Sequence, residues 1–506
     1  MTYQPKQNRS SLSYLRFFKQ RVLIPILLLC LLVLPGCRIK SCQQEDGQQT
    51  KPENYIFFGN EDQPINIVMW YVFEDPRVMQ TLATKYNAKH KYVTITPKQI
   101  TNFSEYLDEL LNKSGTDLAP DIYFIRHDWL PRYYRKLAPM SETNLKRDPD
   151  AVESVDDYVA KFFPALGSDM IMEQNVIDET SNKETTKRNL YGIPWGFEGL
   201  ALFVNKGHFE DYNKAFSDDK INVPLPTQTM TWNELSEASQ KLIYTSSGWA
   251  QVTKTAQGTT VTYDKNKVVR YGAALGTAVN VQHAPDIFTT YLMQQGIGIV
   301  SDDHETVEFI KSTNTSDAVS ALNAFASYSE VWDSTWPDSI NAFANGKVSL
   351  AFGRSYQVPG IEKNSSLNFS VVPFPQRTSE ASSWVTPAYY WVRVVNRDCE
   401  HPEVAWDFIK FVASTEEMQV YSEATLMPPA RPELLDSVNM NSNNYAVYIQ
   451  ALPYTKTWYK GDADDADKAI SDAITMVAQQ CCSQNVAQQA LTEAAKQLEQ
   501  ILKEYE

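Results

Sequence analysis

Apolar and polar positions follow an alternating strand and helix pattern from residue 65 onward. Residues 65–70 form an apolar β-type run, and residues 92–96 alternate as a strand. Between them, apolar side chains in 78–86 recur at helical spacing. A second helical stripe in 103–111 leads to a third strand at 121–125. This βαβαβ order predicts a parallel sheet with helices on its faces, which is an α/β fold.

The same pattern repeats with longer insertions through the rest of the chain. Thr231 followed by Glu234 predicts a capping box at the start of a helix. Further strands are predicted at 200–204, 271–275, 348–352, 369–372 and 390–394, with helices through 287–292, over 402–412 and from 462 onward. A chain of 506 residues exceeds the size of a single hydrophobic core. We therefore expect two lobes.

The first residues have the features of a secretion signal. Residues 22–34 are an uninterrupted apolar run after a basic, acid-free segment. The run is shorter than the roughly 20 residues of a membrane span, and this favours a signal peptide over 1–36. Leu34-Pro35-Gly36-Cys37 resembles the lipobox of bacterial lipoproteins, which implies lipidation of Cys37 and an anchor on the outer face of the cytoplasmic membrane or in the periplasm. The polar residues 37–64 are interpreted as a tether.

Composition narrows the possible partners. The net charge is −15, which argues against nucleic acid or an anionic membrane surface, and any membrane contact is expected through the anchor alone. The six cysteines have no metal-like spacing, so we predict no metal and no cofactor, while disulfide pairing stays open. The aromatic share of 12% is compatible both with core packing and with a site lined by flat rings.

Seven fragments appear in the order known from one protein family. They resemble motifs of the family 1 extracellular solute-binding proteins, the maltose-binding-protein-like group. The fragments are NIVMW (66–70), DIYFIRHD (121–128), YGIP with EGLAL and VNK (191–206), TWNEL (231–235), FANGKVSL (343–350), VPFP (372–375) and HPEVAWDFI (401–409).

The resemblance implies a type II periplasmic-binding-protein-like fold, with two α/β lobes joined by a hinge that the chain crosses more than once. Lobe 1 would comprise residues 65–197 and about 376–430. Lobe 2 would comprise residues 198–375 and about 431–506. The ligand would lie between them. The chain is longer than the simplest members at 246–269, which we expect to be a surface excursion, and at 424–463, whose role is left open.

The resemblance also implies a set of ligand contacts. In the maltose-type pattern, acids at the positions of Asp128 and Glu198 contact sugar hydroxyls, and an aromatic ring stands at the position of Tyr356. Carboxylates accept strong hydrogen bonds from hydroxyls, and rings cover the apolar faces of a sugar. Trp195 flanks Glu198 and is a candidate platform. Each of these residues could instead serve packing or capping.

Further candidates complete the predicted site. Trp70 ends the first strand and is as compatible with core as with contact. Trp129 could provide stacking. Arg354 could hold an acidic sugar or pair with a carboxylate. In the cluster Trp384, Tyr389, Tyr390 and Trp391, strand alternation predicts some rings in the core and at least one, with Trp384 and Tyr389 favoured, in the cleft.

These features favour a binding protein rather than an enzyme. We predict an extracytoplasmic solute-binding lipoprotein that captures a small ligand, with a sugar favoured, and delivers it to the permease of an ABC importer. A secreted hydrolase remains an alternative, with Asp128 and Glu198 as its acid pair. So does a ligand sensor without a transport role. The sequence contains none of the common catalytic motifs HExxH, GxSxG, the P-loop or GxGxxG.

Overall fold

The computed structural model describes residues 58–505, apart from 114, 117, 179–182, 218–221, 256–257, 365, 435–442 and 481–482. The predicted signal peptide, Cys37 and the tether up to residue 57 lie outside the described residues.

The strands of the described chain follow in order. They are β1 (Ile65–Tyr71), β2 (Val93–Gln99), β3 (Ile122–Arg126), β4 (Leu137–Ala138), β5 (Ile171–Asp178), β6 (Lys183–Leu190), β7 (Ile193–Pro194), β8 (Leu200–Asn205), β9 (Tyr244–Thr245), β10 (Gly248–Trp249), β11 (Gln251–Thr255), β12 (Gly258–Thr262), β13 (Val268–Ala273), β14 (Val348–Arg354), β15 (Phe369–Val372), β16 (Thr386–Pro387), β17 (Trp391–Asn396) and β18 (Thr455–Lys456).

The α-helices are interleaved with these strands. They are α1 (Pro76–Lys89), α2 (Phe103–Lys113), α3 (Leu130–Tyr133), α4 (Glu142–Leu145), α5 (Val155–Val159), α6 (Ala165–Met170), α7 (Lys206–Ala215), α8 (Trp232–Lys241), α9 (Ala284–Met293), α10 (Thr315–Ala326), α11 (Ser339–Ala344), α12 (Val358–Glu362), α13 (Pro402–Val412), α14 (Thr415–Thr425), α15 (Asn443–Ala451), α16 (Ala463–Gln480) and α17 (Gln484–Glu504).

The first sheet confirms the predicted βαβαβ unit. Its strand order is β2-β1-β3-β17-β4, with β7 also paired to β17. β1 runs parallel to both β2 and β3, and α1 and α2 provide the crossovers. β17 enters from much later in the chain and lies antiparallel to β3. The carboxyl ends of β1 and β3 therefore open on the same edge, where ligands bind in such sheets.

The second sheet has the order β10-β9-β13-β14-β8-β15. β13 and β14 are parallel, whereas β8 is antiparallel to β14 and β15. Thr231 and Glu234 form the predicted capping box at the start of α8. The residues at 246–269 include the hairpin β11–β12, whose described side chains are mostly exposed, as expected for a surface excursion.

Each sheet has its own hydrophobic core. One core is built from residues between Phe58 and Phe197 and between Ala388 and Leu434, with Ile449 and Leu452. The other is built from residues between Leu200 and Phe374, together with α15, α16 and α17. Two cores on two sheets make two lobes, and the chain passes between them after β7, after β15 and again beyond Leu434. Both lobes lie within one compact unit, Phe57–Glu506.

The residues that the structure describes lack two features. No helix there combines the length and the apolar character that a membrane crossing requires. No group of three or more His, Cys, Asp or Glu side chains in the same residues could hold a metal ion.

Candidate ligand-binding site

A cavity of about 570 Å³ lies between elements of both lobes. This volume falls within the roughly 300–1,000 Å³ of small-molecule sites. We call it the aromatic cavity. It is lined by Phe73, Glu74, Asp75, Phe124, Trp195, Gly196, Glu198, Arg354, Ser355, Tyr356, Pro359, Tyr389, Trp391, Arg393, Tyr421 and residues 424–427. The lining comes from the carboxyl end of β1, the crossing into β8, the end of β14, the region of β17 and the end of α14.

Aromatic rings form one wall of this cavity. The ring centroid of Phe73 lies 5.7 Å from those of both Phe124 and Trp391. Phe73 is nevertheless 59% exposed, and Tyr356, which also lines the cavity, is 55% exposed. Large apolar side chains left open inside a concave site are a common signature of ligand binding. The wall offers flat apolar surface to a ligand face.

Two buried charged side chains stand beside the rings. Glu74 follows β1 and is ion-paired with Arg393, which lies in β17. The hydroxyl of Tyr421 donates to the same Oε1 atom of Glu74 at 3.2 Å. Oε2 of Glu74 and Nε of Arg393 are buried without a hydrogen-bond partner among the described residues. A buried polar atom without a partner is costly, so these two atoms favour a polar ligand.

Glu198 contributes a second buried carboxyl. The backbone N–H of Glu198 donates to the carbonyl of Tyr389 at 2.8 Å, which ties the crossing segment to the approach to β17. Burial raises the pKa of Glu198 to about 7; Arg354 opposes this effect and Glu74 adds to it. Near neutral pH the carboxyl can therefore accept or donate a hydrogen bond.

Arg354 closes the polar side of the cavity from the second lobe. It ends β14 and is almost fully buried. Its guanidinium carbon lies 3.2 Å from the ring centroid of Tyr389, and Nη2 donates to Asp286 at 3.2 Å. Nε has no partner among the described residues. Asp286 already neutralises the charge of the guanidinium. Arg354 is therefore better suited to donate a hydrogen bond to a neutral oxygen than to bind an acidic group.

Five of the nine predicted contact residues line the aromatic cavity. They are Trp195, Glu198, Arg354, Tyr356 and Tyr389. Trp195 is 1% exposed, and its indole N–H donates to the carbonyl of Ile409 at 3.2 Å, so its ring supports the cavity floor. Whether these residues contact a ligand stays a prediction.

The structure places the other four elsewhere. Trp70 lies in the core, with the ammonium groups of Lys98 and Lys113 about 5 Å from its ring. The ring of Trp129 packs edge-on against that of Trp391, with 5.8 Å between the ring centroids, and Trp129 does not line the aromatic cavity. The indole of Trp384 donates to Thr378 and borders a separate groove.

Asp128 is the fourth, and it is held by neighbouring cations. Nε and Nη2 of Arg126 donate to its two oxygens at 2.7 and 3.0 Å. Burial opposes ionisation, but the charges of His127, Lys460 and Arg126 hold the pKa of Asp128 well below its usual range. Asp128 lines a second cavity of about 820 Å³, which also lies between the lobes. Its oxygens are occupied by cations rather than offered to a ligand in the aromatic cavity.

Three important residues were missed as contacts. Phe73 and Glu74 follow β1, in the segment 70–75 that the strand-end rule assigns to the ligand edge of the sheet, but neither was singled out as a contact. The sequence did not indicate Arg393 as a ligand contact, because this residue lies within an apolar strand between Val392 and Val394. In the aromatic cluster the predicted alternation is confirmed for Tyr390, which is fully buried, while Tyr389 and Trp391 line the cavity.

Two α/β lobes with a partly apolar cavity between them define a class, the two-lobed ligand-binding proteins. The chain belongs to the bacterial extracellular solute-binding protein family, whose model matches residues 81–447. The family is a family of binding proteins, and it places the chain outside the cytoplasm.

Solved structures support the fold. A cyclic alpha-maltosyl-1,6-maltose binding protein from Arthrobacter globiformis has a TM-score of 0.64 at 18% identity, covering 87% of this chain and 100% of that chain. The sugar-binding protein MalE from Xanthomonas citri has a TM-score of 0.62 at 16% identity, and the match covers 87% of this chain and 98% of that chain. An ABC transporter solute-binding protein from Thermotoga lettingae, bound with alpha-D-tagatose, has a TM-score of 0.59 at 18% identity. That match covers 86% of this chain and 99% of that chain. No curated protein matched the chain by sequence.

Proposed function

We propose that this chain captures a sugar in the aromatic cavity and delivers it to the permease of an ABC importer. The observation that carries the proposal is the combination of exposed rings, Phe73 and Tyr356, with the buried carboxyls of Glu74 and Glu198. A sugar presents flat apolar faces and a rim of hydroxyls, and this cavity offers a partner for each. The similar structures of sugar-binding proteins add support.

The charged side chains of the cavity assign a role to each side of the sugar. The carboxyl of Glu74 accepts a hydrogen bond from a hydroxyl, and the guanidinium groups of Arg354 and Arg393 donate to sugar oxygens. An apolar sugar face lies against Phe73 and Trp391. Because contacts come from both lobes, the ligand favours the closed arrangement over an open one, to the extent that its affinities differ.

The proposed role involves no bond cleavage. The principal rival is a hydrolase, now with Glu74 and Glu198 as its acid pair. A sensor that passes ligand occupancy to another membrane protein would use the same cavity. Loss of uptake of the labelled sugar when the gene is deleted would favour import over sensing.

The test is a thermal-shift screen of residues 54–506 against monosaccharides, oligosaccharides, polyamines and peptides. A ligand that binds the native state alone raises the melting temperature. We expect a rise with one class of sugar, and at least tenfold weaker affinity for that sugar in Trp391→Ala. Trp384→Ala is the matched control, since Trp384 borders a different groove. No response to any sugar contradicts the proposal, and slow consumption of an oligosaccharide would favour the hydrolase.

The chain is anchored through a lipid on Cys37 in this proposal, at the outer face of the cytoplasmic membrane or in the periplasm. Support comes from the apolar run followed by Leu34-Pro35-Gly36-Cys37. Cells fed an alkyne-bearing fatty acid should label the chain, and Cys37→Ser should abolish labelling. Equal labelling of both chains would contradict the anchor.

A further inference from the structure

The aromatic cavity and the second cavity both lie between elements of the two lobes. Among the described residues, none that lines the aromatic cavity also lines the second cavity. Arg354 and Tyr389 face the aromatic cavity, whereas Asp128 and Lys460 face the second one. Three of these four side chains are charged.

Lys460 is the centre of this partition. Its ammonium lies 3.6 Å from Oδ2 of Asp128 in the first lobe and 3.2 Å from Oδ1 of Asp286 in the second. It also donates to Asp467 on α16 at 2.7 Å. Lys460 itself is 7% exposed. One side chain therefore joins acids from both lobes.

Arg126 and Arg354 complete the partition on either side. Arg126 donates to both oxygens of Asp128, and its guanidinium carbon lies 6.0 Å from the ring centroid of Tyr389. Arg354 donates to Asp286 and lies over the same ring at 3.2 Å. The contacts close a loop, which we call the charge ring. Its members are Arg126, Asp128, Lys460, Asp286, Arg354 and Tyr389.

The charge ring is difficult to open because its positive and negative charges balance one another. Three cations alternate with two acids, and Asp467 adds a third acid beside Lys460. Although burial opposes it, Lys460 and Arg354 lower the pKa of Asp286 to about 2, so this carboxylate stays ionised. Opening such a ring while the lobes are closed would leave buried charges without partners, which is expensive.

We propose that the charge ring limits the ligand of the aromatic cavity to a short saccharide, of one to three sugar rings. This inference rests on the proposed function. A longer chain would have to pass through the ring to gain contacts in the second cavity, so its further units stay in solvent. The aromatic cavity alone, at about 570 Å³, is of the size that encloses a small molecule.

The inference also gives a role to part of the unexplained segment at 424–463. Lys460 belongs to this segment, and Leu426 and Met427 from its start line the aromatic cavity. The segment thus supplies both a wall of the cavity and the residue that closes it. Lys460 is a specificity-determining residue in this view.

The first experiment measures affinity against ligand length. The full chain is purified in lauryldimethylamine oxide, a detergent without a sugar headgroup that could compete. Titration calorimetry then measures the affinity of the chain for neutral α-1,4-linked gluco-oligosaccharides and β-1,4-linked manno-oligosaccharides of one to six units. We expect affinity to stop increasing by the third unit. Affinity that continues to increase up to six units overturns the length limit but leaves the proposed function intact, whereas no binding at any length, together with no thermal shift from any other sugar, overturns both.

The second experiment opens the barrier. Lys460→Met removes the charge and keeps an unbranched apolar side chain, and it should raise the affinity ratio of hexasaccharide to trisaccharide at least tenfold. Lys468→Met is the matched control, because Lys468 is exposed on α16 and paired with Asp472. If Lys460→Met does not fold, the double variant Lys460→Met/Asp128→Asn leaves one less unpaired acid. An unchanged ratio in a folded variant overturns the role of Lys460.

Discussion

At the scale of the residue, Glu198 couples the site to pH. Burial raises its pKa from an ordinary value of 4.5 to about 7. Between these values the folded chain holds a proton that the unfolded chain has lost. The free energy of unfolding therefore falls as pH rises from 4.5 to 7 and levels off above. The difference between the two pKa values corresponds to about 3 kcal/mol.

Glu198→Gln isolates this effect, because the amide keeps the shape but cannot titrate. We expect the stability of Glu198→Gln relative to the parent chain to increase by up to about 3 kcal/mol between pH 4.5 and pH 8. Urea unfolding at a series of pH values measures it. All other titrating groups are common to both chains and cancel in the difference. Parallel stability curves would show that the pKa of Glu198 is not raised.

The two predicted acids illustrate what a motif can and cannot provide. Asp128 follows β3 and Glu198 precedes β8, and each lines a cavity between the lobes. Their surroundings were not predictable, because Lys460 and Arg354 reach them from more than 150 residues away in the sequence. A residue's local pattern thus predicts its position, while its ionisation and its availability to a ligand depend on partners distant in sequence.

At the scale of the element, the packing of α8 on β13 depends on a glycine. A Cβ built on Gly272 of β13 would overlap the backbone carbonyl of Ser239 on α8. Backbone cannot rotate away as a side chain can, so the helix would have to shift. We expect Gly272→Ala to lower the free energy of unfolding by about 2–3 kcal/mol, the usual cost of overpacking.

Gly360→Ala is the matched control for this prediction. Gly360 lies in the short helix α12, and a Cβ there would meet nothing within 4 Å. Alanine should leave stability unchanged or raise it by up to about 1 kcal/mol, because it is the better helix former. Chemical denaturation of both variants measures the contrast. Equal stabilities would mean that α8 can move away from β13 at little cost.

Elements specified by nearby residues were the predictable ones. The capping box of Thr231 and Glu234 formed as expected, and α13 has the bounds that its pattern indicated. The place of β17 was different. This strand inserts between β3 and β4, more than 250 residues from either along the chain. No local pattern encodes such pairing, and Arg393 reaches Glu74 only because of it.

At the scale of the whole molecule, the aromatic cavity and the charge ring both depend on two lobes meeting. The first lobe supplies the rings of Phe73 and Trp391, and the second supplies Arg354 and Tyr356. A ligand that contacts both sides is bound most tightly when the lobes are close. The shift toward that state is limited by its differential affinity for the two arrangements.

We therefore expect a sugar that binds to make the molecule more compact. Small-angle scattering of residues 54–506 should give a smaller radius of gyration with saturating sugar than without it, as for hinge closure around a ligand. Trp391→Ala at the same sugar concentration should keep the larger radius, because its weakened binding leaves the lobes unbridged. Tryptophan fluorescence confirms occupancy in each sample. Saturation without any change in radius would mean that the lobes are already held together before the ligand binds, with the charge ring as the contact that holds them.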